Sequence, residues 1–329
     1  MNEEIKIIDE RVKSKSEFVE KINRALAGTI IGQKQIIDRM IIAMLCNGHV
    51  MVEGVPGLAK TLIVKALAAA VDAKFARIQF TPDLLPSDLI GTMILNPKTG
   101  EFTSRQGPIF ANIILADEIN RAPSKVQSAL LEAMQEHRVT ISDTTHRLPE
   151  PFLVMATQNP IEQEGTYPLP EAAIDRFMFK LKIDYPHKEE EIRIIDHALI
   201  GEEPKVERIV GVAEIMETRR IINEIYIDEK LKQYIVTLVN ATRTPQDHGL
   251  SELAGLIQFG ASPRASIYLA QAAKGHAFVR RRGYVTPDDI KSVALDVMRH
   301  RIILTYEAEA EEQTPESIVQ KVLDAVDVP

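Results

Sequence analysis

One short segment that contains two glycines limits the possible folds more than any other part of the sequence. The residues GVPGLAKT (54–61) follow an apolar segment at 49–53 and run into an alanine- and leucine-rich segment at 60–71. The first segment predicts a buried strand and the second a helix, so the loop between them directs backbone N–H groups and a helix N-terminus at one anion. We therefore expect a loop that binds phosphate.

The residue types of this loop fit the phosphates of a nucleotide. Gly54 and Gly57 let the backbone bend closely around phosphate groups. Lys60 would neutralise the β- and γ-phosphate oxygens, and the Thr61 hydroxyl would ligate Mg²⁺. Ala59, however, stands where the common pattern GxxxxGK[ST] has glycine. Taken alone, the segment also fits a helix that begins by chance after a turn.

An acidic pair supplies a second signal. The string IILADE (113–118) is an apolar segment, predicted to be a buried strand, that ends in Asp117 and Glu118. A carboxylate pair at this place meets a metal ion held beside the first loop. Asp117 would orient a metal-bound water, and ionised Glu118 would polarise the attacking water. Acids that only cap the solvent end of a strand are the alternative, but the two motifs together predict a nucleotide hydrolase.

Three further residues are candidates for the site. Asn159 follows the next predicted strand, at the sheet edge where ligands of open α/β sheets collect, although in isolation an Asn-Pro turn explains it better. Arg176 lies in EAAIDRF (171–177), and Arg264 lies in GASPRAS (260–266) at the start of a helix. Each arginine alone also fits a surface ion pair.

The order of the predicted elements indicates an α/β domain followed by a helical one. Further strands are predicted at 75–79, 113–116, 152–157 and 178–181, which favours a mainly parallel sheet. Hairpins are predicted around 96–100 and 142–146, and a helix at 124–137 with a capping box of Ser124 and Gln127. Beyond 186 we expect helices and no strands. The expected divisions are an aperiodic charged tail at 1–15, an α/β nucleotide-binding domain at 16–185 and a helical lid at 186–329.

Composition excludes several classes of protein. The chain has 329 residues and a formal charge of −8, which argues against attraction of the whole surface to nucleic acid or an anionic membrane. Cys46, the only cysteine, lies in an apolar segment and is expected to be buried. The N-terminal sequence is acidic, unlike a signal peptide, and no apolar stretch is as long as a membrane span, so we expect a cytoplasmic protein. The scattered histidines lack the spacing of a zinc site, and we expect no structural metal.

The order of these motifs resembles one family, the MoxR family of AAA+ ATPases in the helix-2-insert group. The likeness runs from about residue 30 to residue 301, and Ala59 is the residue usual in this family. Its most specific strings are GVPGLAKT (54–61), LADEINRAP (115–123), LLEAMQE (130–136), MATQNPIEQEGTYPLPEAAIDRF (155–177) and GASPRA (260–265). The resemblance implies a P-loop NTPase core with a helical lid.

The resemblance also implies roles for individual residues. Asp117 and Glu118 form a Walker B pair, Asn159 is sensor 1, Arg176 is an arginine finger and Arg264 is sensor 2. Residues 30–33 lie against the adenine. Residues 91–110 resemble the helix-2 insert, and 138–148 the hairpin before sensor 1. The expected nucleotide-binding residues are Ile31, Gly32, Gly54, Val55, Pro56, Gly57, Leu58, Ala59, Lys60, Thr61 and Leu62, and the expected Mg²⁺ ligands are Thr61 and Asp117.

The function implied is that of an ATPase that works as a homo-oligomeric ring, expected to be a hexamer, in a chaperone-like role. It would help to assemble, mature or activate a client protein complex, possibly one with a von Willebrand factor type A domain. Two alternatives stay open. One is a DNA-remodelling motor, although both hairpins lack the interleaved basic and aromatic residues of a single-strand binding surface. The other is a nucleotide sensor that hydrolyses slowly.

Overall fold

The computed structural model describes residues 3–55, 57–98, 100–159, 165–200 and 206–329. Its helices are α1 (Glu3–Lys15), α2 (Glu17–Ala27), α3 (Lys34–Leu45), α4 (Lys60–Ala70), α5 (Pro86–Ile90), α6 (Ser124–Glu136), α7 (Glu171–Ile174), α8 (Lys188–Ile200), α9 (Val212–Glu224), α10 (Glu229–Ala241), α11 (Pro263–Val279), α12 (Pro287–Met298), α13 (Tyr306–Ala310) and α14 (Pro315–Ala325). Its strands are β1 (Val50–Glu53), β2 (Phe75–Gln79), β3 (Gly91–Leu95), β4 (Phe102–Gln106), β5 (Ile113–Asp117), β6 (Arg138–Ile141), β7 (Thr144–Arg147), β8 (Leu153–Gln158), β9 (Phe179–Lys182), β10 (Ile257–Phe259) and β11 (Ile303–Leu304).

A parallel sheet brings the predicted motifs to one edge. Within the described residues its strand order is β2-β5-β8-β1-β9, so β5 and β8 lie between β2 and β1. The pairs β2–β5, β5–β8 and β1–β8 are parallel, and Glu53 at the end of β1 is in register with Gln158 at the end of β8. Parallel strands end at the same edge, which in open α/β sheets is where ligands bind.

Apolar composition explains the central position of β5 and β8. The residues Ile113–Ala116 and Leu153–Ala156 are fully buried. Strands covered by helices on both faces have near-continuous apolar sequences instead of alternating ones. The predicted parallel sheet is confirmed, and each of its strands lies within one residue of its expected ends.

The described residues fall into two compact units. The sheet unit comprises Phe18–Arg176 and Leu181–Glu217, and the helical unit comprises Met1–Glu17, Phe177–Lys180 and Thr218–Pro329. The domain limits at 16 and 186 stay predictions. No helix in the described part of the chain is both long and apolar enough to span a membrane.

The N-terminal segment differs from its expected structure. Residues 3–15, expected to be an aperiodic tail, form α1, in which Val12 and Asp9 are buried. Asp9 Oδ1 accepts a hydrogen bond of 2.8 Å from the Gly283 backbone N–H. A Cβ on Gly283 would lie 2.5 Å from the Asp9 nitrogen, so this close approach requires glycine. Although α1 is rich in charged residues, its apolar residues Ile5, Ile8 and Val12 have the spacing of one helix face.

Two further details of the prediction are wrong. Helix α6 was expected at 124–137 and is present, but its N-cap is Pro123 and Ser124 is its first residue. The capping box is absent because Gln127 is buried and donates instead to the carbonyls of Ile119, Ala122 and Tyr167. Strands also occur beyond residue 186, where none was expected. They are β10 and β11, which pair in an antiparallel ribbon within the helical unit.

Antiparallel hairpins also occur in the sheet unit, as expected. Strands β3 and β4 pair through a full register, and so do β6 and β7. The hairpin of β3 and β4 exposes large apolar side chains to solvent: Met93, Ile94, Leu95 and Phe102.

Candidate functional site

The glycine-bearing loop joins β1 to α4 as predicted, although Pro56 lies outside the described residues. Gly57 has φ +89°, and a Cβ there would meet nothing within 4 Å. Ala59 is the N-cap of α4 and has φ 53° and ψ 21°, in the left-handed region. This conformation is one that glycine adopts without a steric penalty, so the structure explains why the common pattern has glycine at this position.

The Lys60 side chain turns back toward the loop. Its Nζ donates to the carbonyl oxygen of Gly54. Burial lowers the pKa of Lys60 below its usual value, while the charges of Asp117 and Glu118 act in the opposite direction. The Lys60 amine is therefore half-buried and interacts electrostatically with the acidic pair.

A hydroxyl on the neighbouring strand organises the acidic pair. Thr157, which is 1% exposed on β8, donates through Oγ1 to Asp117 Oδ1 at 2.7 Å. The same Oγ1 accepts from the Glu118 backbone N–H at 2.9 Å. Glu118 has φ 56°, so the chain turns sharply directly after β5. Thr157 is not among the residues predicted from sequence, although a hydroxyl in an otherwise apolar strand was the available signal.

Polar side chains from β2 also contact both acids. Arg77 donates to Asp117 Oδ2 through Nη2 at 2.6 Å and through Nε at 3.2 Å. Gln79 donates through Nε2 to Glu118 Oε2 at 2.9 Å, and Arg121 donates to the same oxygen at 3.2 Å. Arg77 and Gln79 are separated by one residue in a strand, so they share one face of the sheet. Neither Arg77 nor Gln79 is among the residues predicted from sequence.

Apart from Arg121 and Gly54, these groups line a cavity of about 750 Å³ in the sheet unit. Of the predicted residues, those that line it are Ile31, Gly57, Leu58, Ala59, Lys60, Thr61, Leu62, Asp117, Glu118 and Asn159. Residues not predicted as site members also line it: Thr29, Arg77, Gln79, Thr157, Pro186, Ile194 and His197. Gly32 lines an adjoining cavity that it shares with Ile31, and Gly54 contributes its carbonyl to Lys60.

The remaining predicted residues lie in different places. Asn159 directly follows β8 and is buried. Arg176 lines a different cavity of about 810 Å³, where its Nε donates to Gln135 Oε1 at 3.0 Å and its Nη1 to the carbonyl of Ala172 at 3.1 Å. Arg264 is the second residue of α11 in the helical unit, and its backbone N–H donates to Ser262 Oγ.

A parallel α/β sheet with a loop of this kind at the end of β1 defines the class of P-loop nucleotide hydrolases, and family models specify the class further. The model of the ATPase family associated with various cellular activities (AAA) matches residues 49–179. A model of the AAA lid domain matches residues 253–322. The chain is therefore an ATPase with an AAA+ core and a helical lid.

Similarity to individual proteins identifies the family. The chain is 49% identical over 300 residues to chaperone MoxR1 of Mycobacterium tuberculosis, and the aligned region covers 91% of this chain and 79% of that protein. It is 32% identical to protein MoxR of Paracoccus denitrificans, with 92% of each chain covered. A crystal structure of a candidate ATPase from Cytophaga hutchinsonii matches with a TM-score of 0.93 and 49% identity over 100% of both chains. The chain belongs to the MoxR family of AAA+ ATPases.

Proposed function

We propose that the cavity beside the loop binds ATP with Mg²⁺ and is the place of hydrolysis. One observation carries the proposal, namely that a cation, a hydroxyl and two carboxylates line the same cavity: Lys60, Thr61, Asp117 and Glu118. Phosphoryl transfer needs these kinds of group, because catalysis of this reaction is mostly positioning and charge stabilisation. The AAA family match supports nucleotide as the ligand.

The donor set fits Mg²⁺. In the described part of the chain no group of three or more His, Cys, Asp or Glu side chains could hold a metal by itself. Mg²⁺ does not require such a group, because it is usually held by one or two carboxylates together with substrate phosphates. The Thr61 hydroxyl and the Asp117 carboxylate are hard oxygen donors of this kind. When bound, Mg²⁺ neutralises charge on the phosphate oxygens.

The chain's own residues would divide the work of hydrolysis. Glu118 takes a proton from the attacking water as the bond from the water oxygen to the γ-phosphorus forms. The bond from that phosphorus to the bridging oxygen breaks, and ADP and phosphate result. Lys60 and the loop N–H groups hold the phosphates, and Asn159 orients the water as sensor 1.

Two arginines would complete the site from outside this cavity. Arg176 acts in trans on the γ-phosphate of a neighbouring subunit, as the family resemblance implies. Its place in a different cavity from Lys60 is consistent with this role. Arg264 acts as sensor 2 from the lid. Residues Ile31 and Gly32 contact the adenine, which is supported by the position of Ile31 in the cavity lining.

We further propose that the protein forms a ring, as a hexamer, and remodels a client protein complex. The name of the MoxR1 relative, a chaperone, supports a protein client. The exposed apolar residues of the β3–β4 hairpin also favour a protein over nucleic acid, because they offer no basic surface for phosphates: Met93, Ile94, Leu95 and Phe102. A client with a von Willebrand factor type A domain is expected from the family resemblance.

Three variants test the site. Lys60→Ala should weaken ATP binding severely, because the charge that faces the phosphates is lost. Glu118→Gln should bind ATP like the wild type and lose hydrolysis, because only the group that accepts the proton is changed. Lys65→Ala, an exposed lysine on the same helix, is the matched control and should retain both properties.

Binding is measured by fluorescence of a labelled ATP analogue, and hydrolysis by phosphate release. Normal binding and turnover in both Lys60→Ala and Glu118→Gln would show that the site is elsewhere. The Glu118→Gln variant held in ATP also serves to recover the bound client, because we expect release of the client to require hydrolysis.

A further inference from the structure

The contact between Arg77 and Asp117 has no place in the catalytic scheme above. Arg77 lies on β2, the edge strand of the sheet, and two of its N–H groups reach the same carboxylate oxygen, Asp117 Oδ2. The Arg77 side chain is 50% exposed and that of Asp117 is 17% exposed. The pair therefore lies at the cavity wall, accessible to anything that enters the cavity.

Neighbouring groups hold both partners in this arrangement. Thr157 occupies Asp117 Oδ1, so Arg77 and Thr157 together bind both oxygens of the carboxylate. Arg77 Nη2 also donates to Gln79 Oε1 at 3.1 Å. This contact with Gln79 restricts the orientation of the guanidinium, which lowers the entropy cost of the ion pair.

From this geometry we propose that Arg77 is a specificity-determining residue that competes with a divalent cation for Asp117 Oδ2. The inference rests on the proposed function, in which Asp117 is a ligand of Mg²⁺. Arginine carries its charge at every physiological pH, so its guanidinium neutralises Asp117 and repels a second cation at the same oxygen. The phosphates of a bound nucleotide, ADP or ATP, add negative charge to the same cavity and offset this repulsion. Arg77 thereby makes the site accept a metal together with nucleotide and disfavours the metal alone.

The structure suggests a matched control for this idea. Arg121 carries the same charge, is similarly exposed and contacts the adjacent acid, Glu118, at 3.2 Å. Replacing either arginine by methionine removes one positive charge from the acidic pair, but only Arg77→Met releases Asp117. If Arg77 acts only through its charge, both variants should gain Mn²⁺ affinity to the same extent. If Arg77 competes for Asp117 Oδ2, only Arg77→Met should gain it.

The experiment measures the affinity for Mn²⁺, a paramagnetic substitute for Mg²⁺, by the electron paramagnetic resonance signal of the free ion. It uses the full chain with saturating ADP and without nucleotide. We expect Arg77→Met to bind Mn²⁺ about fivefold more tightly without nucleotide, since exposed ion pairs of good geometry have effects of this size. The gain should be smaller with ADP, and Arg121→Met should stay within about twofold of the wild type.

Several results overturn the inference. One is an unchanged or weaker Mn²⁺ affinity in Arg77→Met, and another is an equal gain of Mn²⁺ affinity in Arg121→Met. A third is a loss of metal-free ADP affinity in Arg77→Met, which would make Arg77 a phosphate ligand. An Asp117→Asn variant separates this failure from that of the proposed function. If Asp117→Asn loses Mn²⁺ while Arg77→Met behaves like the wild type, only the competition is refuted. If Asp117→Asn binds Mn²⁺ like the wild type, the metal site itself is wrong and the inference fails with it.

Discussion

The buried carboxylate of Asp289 should contribute more to the stability of the lid than any exposed ion pair. Asp289 is 0% exposed in α12. It accepts hydrogen bonds from His276 Nδ1 at 2.6 Å, from Arg282 at 2.6 and 2.9 Å, and from the Thr286 backbone N–H at 2.7 Å. The substitution Asp289→Asn keeps the shape, removes the charge and replaces one acceptor oxygen by an NH2 donor, so its effect reports the loss of the carboxylate from this cluster of donors.

The size of the effect follows from the pKa of this carboxyl group. Burial by itself raises the pKa of Asp289, but the hydrogen bonds from His276, Arg282 and Thr286 outweigh burial and lower the pKa from 3.8 to about 2. This difference corresponds to about 2 kcal/mol of folding free energy at neutral pH. The substitution also leaves Arg282 without its charged partner, so we expect a total loss of about 3 kcal/mol.

The sign of the pH dependence is fixed by the same shift. Because folding depresses the pKa of Asp289, its contribution is fully present above pH 3.8 and is lost as the pH falls toward about 2. The difference in stability between the wild type and Asp289→Asn should therefore shrink in this interval. A difference that stayed constant from neutral pH down to pH 2 would contradict the assignment.

Hydrogen exchange is the appropriate assay, because it reports on α11 and α12 separately from the sheet unit. A loss of about 3 kcal/mol predicts amide protection in these helices that is roughly 100-fold lower in Asp289→Asn. The control is Asp72→Asn, which removes the same charge from an exposed pair with Arg208 and should leave that protection unchanged. Protection in Asp289→Asn within threefold of the wild type would refute the reasoning.

Three other outcomes are expected. Mixing Arg176→Ala with Lys60→Ala should restore ATP hydrolysis, because some subunit boundaries then pair an intact Lys60 loop with an intact Arg176. Full activity of Arg176→Ala alone would exclude a role in trans. ATP with Mg²⁺ should shift the chain to larger assemblies in light scattering, since a nucleotide at a subunit boundary favours association, and a monomer under both conditions would oppose the ring. Ala59→Gly should keep normal ATP affinity and raise the unfolding free energy by up to about 1 kcal/mol in urea titrations, because it relieves the left-handed conformation, and a fall in stability would contradict this.

The local parts of the site could be predicted from sequence because their geometry arises within a few residues. The loop at 54–61 forms where a buried strand meets a helix, and both elements are visible in the residue pattern. The acids follow β5 for the same reason. The prediction of a capping box at Ser124 was wrong, because the buried Gln127 side chain donates to backbone carbonyls outside its own helix. These hydrogen bonds depend on tertiary contacts, which the local sequence does not show.

The sequence by itself therefore determined the class of fold, the positions of the strands of the parallel sheet, the loop and the acidic pair. The tertiary structure alone decided which distant side chains reach them. Arg77 and Thr157 are each 40 positions from Asp117, and strand register brings both into hydrogen-bond contact with it. Likewise, Asp9 meets Gly283 across 274 positions because α1 packs within the helical unit. Backbone propensity and apolar periodicity act over one or two turns of chain, whereas such pairings depend on how whole elements pack.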